Sequence, residues 1–176
     1  MTTSNGGAGA FTEAVGMELG WELSRALERI RHCIDQLTDG QVWRRPAAGM
    51  NSVGHLLLHL TGNVRQWVVS GLGGAPDDRD RPAEFAETQP VPKADLWEKL
   101  RATVEEATAV LAAQTEAGWR RPRRIQGFEV TGLRAAINSV AHFQGHTQEI
   151  IHLTRAVLGD RYCFAWTPAT KEQGAE

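Results

Sequence analysis

Two pairs of histidines in this chain have the spacing of a metal site. His142 and His146 lie four residues apart in Ala141-His142-Phe143-Gln144-Gly145-His146. On an α-helix that spacing brings both rings to one face, one turn apart. Two such imidazoles can share one metal ion, as in helices of the HExxH type. The glutamate of that motif is missing here, so metalloprotease chemistry is not indicated. His55 and His59 form a second pair, in Gly54-His55-Leu56-Leu57-Leu58-His59-Leu60. Three leucines between them predict that at least one ring faces an apolar interior. A buried imidazole needs hydrogen-bond partners or a metal, because an unsatisfied polar group is costly there. A satisfied core histidine or a surface one explains either pair alone. Two pairs on two helices make a metal site an equal contender.

Glu149 falls on the same helical face as His142 and His146. Its carboxylate is a candidate further ligand, an acceptor orienting an imidazole, or a general base. A solvated surface charge is the plain alternative. Asn63, four residues past His59, is a candidate partner for the ligands. His32 sits near a helix end, where a protonated ring is favourable, and His152 points to a different face. Neither is given a role.

The elements that must position these groups are helical. Apolar residues from Phe11 to Leu37 recur at three- and four-residue steps, which predicts one long amphipathic helix ended by Thr38-Asp39-Gly40. Asn51 or Ser52 caps a second helix that runs to Gly71-Leu72-Gly73-Gly74. Residues 75–92 hold four of the seven prolines and read as a long loop. A third helix spans about Lys93 to Gln114. Ile125 to Val130 reads as a short extended pair around Gly127. Thr131 caps a fourth helix ending at Leu158. The fold class is therefore all-α, a four-helix bundle with long connections after helices 2 and 3. One domain is expected over residues 11–166, with flexible tails at 1–10 and 167–176. Trp21, Trp67 and Trp97 are expected in the core. Trp43, Trp119 and Trp166 lie in connections, where they would line a pocket mouth or pack helix ends. Tyr162, Phe164 and Trp166 could pack back on the body.

Composition removes several function classes. Nineteen basic residues against 21 acidic ones leave a formal charge of -2, so no polyanion-binding excess exists and nucleic acid is not an expected partner. The longest nearly apolar run, Ser52–Leu60, contains two histidines and is far short of a membrane span. No export signal is apparent, which makes the cytoplasm the default location. Cys33 and Cys163 form no metal knuckle; one bridge could form, but nothing requires it. No Gly-rich phosphate loop is present.

The two histidine segments resemble a known family. Ser52-Val53-Gly54-His55-Leu56-Leu57-Leu58-His59-Leu60-Thr61-Gly62-Asn63 looks like the second-helix motif of the DinB/YfiT-like superfamily. Ala141 to Ile150 resembles its fourth-helix motif. Arg79-Asp80-Arg81 through Phe85, and Ile125 through Thr131, are similar to an uncharacterised subfamily. The resemblance runs from about Phe11 to Leu158. It implies a four-helix bundle with a divalent metal held by His59, His142 and His146, and so chooses His59 over His55. It implies zinc, with nickel or iron as alternatives, since imidazole suits all of them. The chain departs from the motif at Gln148-Glu149, where relatives often have Gly-Gln.

Superfamily members with known activity include S-transferases and isomerases that use a low-molecular-weight thiol. The resemblance thus implies a metal-dependent S-transferase acting on a small molecule. A hydrolase with metal-bound water and Glu149 as base is one alternative. A non-catalytic metal- or small-molecule-binding bundle is another. Arg79, Arg81 and the stretch Arg120–Arg124 are candidates to hold carboxylates of the thiol, although loop arginines are mostly solvated. A homodimer is also implied, because relatives often pair through bundle helices.

Overall fold

In the computed structural model, residues 5–87 and 90–167 are described, and the helical periodicity resolves into four long helices. They are α1 (Asn5–Asp35), α3 (Val53–Val64), α5 (Lys93–Ala112) and α7 (Gly132–Leu158). Short helices α2 (Asp39–Val42), α4 (Arg81–Ala86) and α6 (Glu116–Arg120) lie in the connections, with a hairpin of β1 (Pro122–Ile125) and β2 (Phe128–Thr131). The α1 helix begins six residues before Phe11. The expected C-terminal tail lies almost wholly outside the described residues.

The bundle is all-α, and its connectivity is not simple. Both α1 and α3 pack against α5 and α7, which puts α1 diagonal to α3 and α5 diagonal to α7. The connections after the second and third long helices are long, as expected. The one after α1 is also long, because it too crosses the bundle. Every long helix contributes to one apolar core, including Leu23, Ile30, Leu57, Leu100, Phe143 and Ile150.

Local chemistry explains the ends. Ser52 caps α3 and accepts from the His55 backbone N–H, while the His55 ring closes the reciprocal half of a capping box. The helix then widens into a π-helical segment, Arg65–Ser70. Thr131 caps α7 by accepting from the Arg134 N–H at 3.2 Å. Gln126 and Gly127 both have positive φ, 52° and 82°, as a two-residue hairpin turn of the right twist requires. Just past the end of α1, the Lys93 ammonium donates to the Ile34 and Leu37 carbonyls and ties the start of α5 to that end. Past α7 the chain returns to α1, where the Cys163 N–H donates to Gln36 Oε1 at 2.8 Å. Cys33 and Cys163 are free thiols, one buried and one exposed.

Two expectations need correction. Residues 75–92 are not a structureless loop, because Asp80 caps α4 by accepting from the Ala83 N–H at 3.1 Å. Six residues are too few to leave a periodic pattern. Trp21 is not in the core: it is 51% exposed and stacks under the Arg25 guanidinium, on the flank of α1's buried stripe. Part of the tail does pack back on the body, through Tyr162, while Phe164 and Trp166 stay exposed.

The α1/α5 contact depends on small residues. A Cβ at buried Gly16 would lie 2.2 Å from the Leu111 carbonyl oxygen. Backbone on the far side cannot rotate away. Gly16→Ala should therefore cost about 1–3 kcal/mol through overpacking, read as a lower urea midpoint at unchanged slope.

Candidate metal centre

The site forms where α3 meets α7. Position 59 lies in the second turn of α3, and positions 142 and 146 lie mid-way along α7 on consecutive turns. One nitrogen from each ring can be chosen so that all three lie within 4.8 Å of one another. The ring centroids form a tight triangle: His59–His142 5.0 Å, His59–His146 5.2 Å and His142–His146 4.5 Å. Nε2 of His59 and Nε2 of His142 approach to 2.9 Å.

Two of the rings are held from behind by carboxylates. His59 Nδ1 donates to Glu84 Oε2 at 2.9 Å, and His146 Nδ1 donates to Glu149 Oε2 at 2.7 Å. A proton fixed on Nδ1 leaves the Nε2 lone pair of each ring free toward the centre. His142 is pushed down to about 4, first by burial and then by the nearby positive groups His146, His59, Arg79 and Arg81. It is neutral at pH 7, as a metal ligand must be. Three convergent imidazoles, two of them backed by carboxylates, fit a divalent ion with open positions left over.

The support behind His59 is itself buried. Glu84 is 8% exposed and receives hydrogen bonds from Arg79, whose Nη2 lies 2.8 Å from Oε2. The Arg79 side chain is only 4% exposed. The expectation that Arg79 is a solvated loop charge is therefore corrected: α4 folds it inward against Glu84. Burial pushes the Glu84 carboxyl up, but hydrogen bonds from Arg79 and His59, with the charge of both, outweigh it and the net direction is down. Gly62 makes room for this pair. A Cβ there would meet Glu84 Oε1 at 2.1 Å and Arg79 Nε at 2.9 Å.

The other sequence candidates go elsewhere. His55 is buried, but its Nδ1 faces Ser52 Oγ at 2.6 Å and its Nε2 faces the Glu87 carbonyl oxygen at 3.0 Å. It belongs to the α3 cap and lies outside the three-histidine cluster. His152 is exposed and His32 bonds the Cys163 carbonyl oxygen at 2.6 Å. Asn63 turns to α7, where its Oδ1 accepts from Ser139 Oγ at 3.3 Å. Arg120 pairs with Glu116 on the surface, and Arg123 donates to the Gly71 carbonyl.

His59 and His142 open into a cleft of about 530 Å³ between α3, α7 and the hairpin. Trp67, from the π-helical segment, and Phe128, from β2, line it together as a tilted aromatic pair with ring centroids 6.4 Å apart. Glu84, and Arg134 at the cleft wall, are functional candidates that sequence reasoning missed. The Asp80-Arg81-Pro82 helix start was the available signal for α4, and through it for Glu84.

Fold and site together define a helical bundle with a three-histidine cluster between its second and fourth long helices. The chain belongs to the DinB superfamily, whose family model matches residues 22–151. Solved structures agree in fold. A conserved protein from Enterococcus faecalis is 19% identical with a TM-score of 0.70, covering 82% of this chain and 98% of that one. A DinB-like protein from Bacillus subtilis is 15% identical with a TM-score of 0.61, covering 79% and 91%. No functionally curated protein matches the chain. Among the described residues, no helix is long and apolar enough to cross a membrane.

Glu84→Gln tests the carboxylate behind His59. It strands the buried Arg79 charge and should cost about 3–5 kcal/mol. The folded-state pKa of Glu84 lies below its unfolded value, so its contribution is complete above about pH 4.3 and is lost as pH falls through the folded value. Urea unfolding of both proteins should show a wide stability gap at neutral pH that closes in acid. A pH-independent gap would sink the ion-pair account.

Proposed function

We propose that this protein is a divalent-metal-dependent S-transferase that joins a low-molecular-weight thiol to a small electrophilic substrate. The convergence of three imidazoles at the edge of an open cleft carries the reading. His59, His142 and His146 would hold the ion, with zinc the first choice and nickel or iron alternatives. Bound there, such an ion keeps its full charge and lowers the pKa of a thiol or water. The chain's own residues do the rest. Glu84 and Glu149 fix the tautomers of His59 and His146, and burial keeps His142 unprotonated. Trp67 and Phe128 supply apolar surface in the cleft for the substrate. The thiol proton leaves to solvent, sulfur bonds to the substrate carbon, and the leaving group departs with its electron pair.

Hydrolysis with Glu149 as base needs that carboxylate on the substrate side, and its position favours transfer instead. Glu149 lies against the Nδ1 side of His146 and does not line the cleft. Glu84 is engaged by Arg79 and His59. Glu129 is the one lining carboxylate, and it sits on an exposed strand facing Arg124 at 3.9 Å. We therefore assign Glu149 the orienting role rather than that of a base. A cytoplasmic homodimer goes with this reading. Exposed Met17 and Trp21 on α1, with Leu133 and Ile137 on the adjacent α7, supply an apolar face for a second copy. Sedimentation should give a dimer that Trp21→Glu weakens.

Metal analysis of protein purified without chelator tests the site. His59→Ala, His142→Ala and His146→Ala should each lose the ion, while His55→Ala and His152→Ala keep it. Unchanged content in the first set overturns the metal centre. The metal-loaded protein should then accelerate conjugation of glutathione to monochlorobimane, and chelation should abolish this. Ester hydrolysis without thiol would favour the hydrolase, and inactivity in both assays with metal retained would favour a binding role. Glu149→Gln should weaken metal affinity by about 10–100-fold. If Glu149 is instead a base, metal content holds and hydrolysis falls by about 10²-fold or more.

A further inference from the structure

The cleft has a charge imbalance that the three histidines do not use. Its lining holds three guanidiniums, Arg79, Arg81 and Arg134, and a single carboxylate, Glu129. Arg79 is neutralised by Glu84, and Glu129 faces Arg124 outside the lining. Among the described residues, Arg81 and Arg134 belong to no ion pair within 4.0 Å. Two positive groups therefore face the cleft uncompensated.

Their placement is ordered. Arg81 opens α4, and its guanidinium lies over the Phe85 ring, 5.1 Å from the centroid. Phe85 in turn packs on His59, with centroids 5.0 Å apart. Arg134 stands on α7, and positions 134, 138 and 142 follow one another at four-residue steps along one helical face. The rise per residue places the Arg134 backbone about 12 Å from that of His142. Asn138 stands between the two on the helix, and Trp67, Phe128 and Val130 give the same cleft apolar surface.

We propose that this cleft binds a carboxylate-bearing ligand with an apolar body, drawn in by the uncompensated charge of Arg81, beside the histidines, and Arg134, farther along α7. The inference rests on the same cleft being the substrate site, and it names the substrate class. Guanidinium is the group suited to forked recognition of a carboxylate. The aromatic walls match a flat or aliphatic body. Arg81 and Arg134 are specificity-determining residues, and the histidines supply no part of this discrimination.

Chemical-shift titration of the full-length protein separates the two proposals. The probes are 4-phenylbutyrate, 4-phenylbutan-1-ol and 4-phenylbutylamine, which differ only at the terminal group. Each is titrated into the protein as purified and after chelation. The carboxylate should bind about tenfold more tightly than the alcohol or the amine in both forms, and added salt should shrink that margin. Arg81→Gln and Arg134→Gln should each shrink the margin, the double variant should remove most of it, and the alcohol should be unchanged. Both side chains are exposed, so the variants keep the fold, and Arg120→Gln is the control that should change nothing. No preference for the carboxylate, or a preference that survives the double variant, overturns the proposal. So does tighter binding of phenylphosphonate than of the carboxylate. Retention of the preference after chelation, together with failed metal binding, would overturn the metal centre alone.

Discussion

A carboxylate cannot stay charged inside a protein without a cation beside it, and Glu84 meets that constraint with Arg79 and His59 together. The consequences reach across the site. Arg79 and Glu84 arrive on the connection between α3 and α5, so the pair pins that connection onto α3. Pinned there, Glu84 fixes the proton of His59 on Nδ1 and turns Nε2 toward α7. Phe85, the next residue, comes to rest against the same imidazole. Gly62 is the concession made by α3: a side chain at that position would occupy the space of the carboxylate. A buried ion pair contributes little net stability, and here its geometric role is to aim a ring.

The two halves of the cluster are held by different means. His142 and His146 share one rigid helix, so their separation follows from helical pitch alone. Glu149, three residues on, uses the same pitch to reach His146. His59 comes from another helix and owes its direction to a third segment. The cleft repeats the division. One wall is α7, while the other walls are the π-helical turn that carries Trp67 and the hairpin that carries Phe128.

Much of this was legible in the sequence, for a physical reason. The long helices carry three or more turns of apolar periodicity, and their caps, Ser52 and Thr131, stand where the pattern starts. Gly127 marked the hairpin. The spacing of His142 and His146 already placed two rings on one face. The choice of His59 over His55 came only from family resemblance, because both flank the same leucines; the structure separates them, with His55 serving the α3 cap. What the sequence hid was short or long-range. The α4 helix is too brief to show a period, and Glu84 lies 25 residues from the ring it supports. Trp21 was misplaced because aromatic character was taken for burial, although its position lies off the helix's apolar stripe.

His142 and His146 come together as soon as α7 forms a single turn, whereas His59 is 83 residues away from His142 in the chain. The first two rings are a local feature and the third is a product of tertiary closure. Any ion that needs all three therefore reports on the α3/α7 interface and not on helix content. A bundle that loosened while keeping its helices would surrender the third ligand first, so affinity at this centre is a gauge of how well the two halves of the protein are clasped.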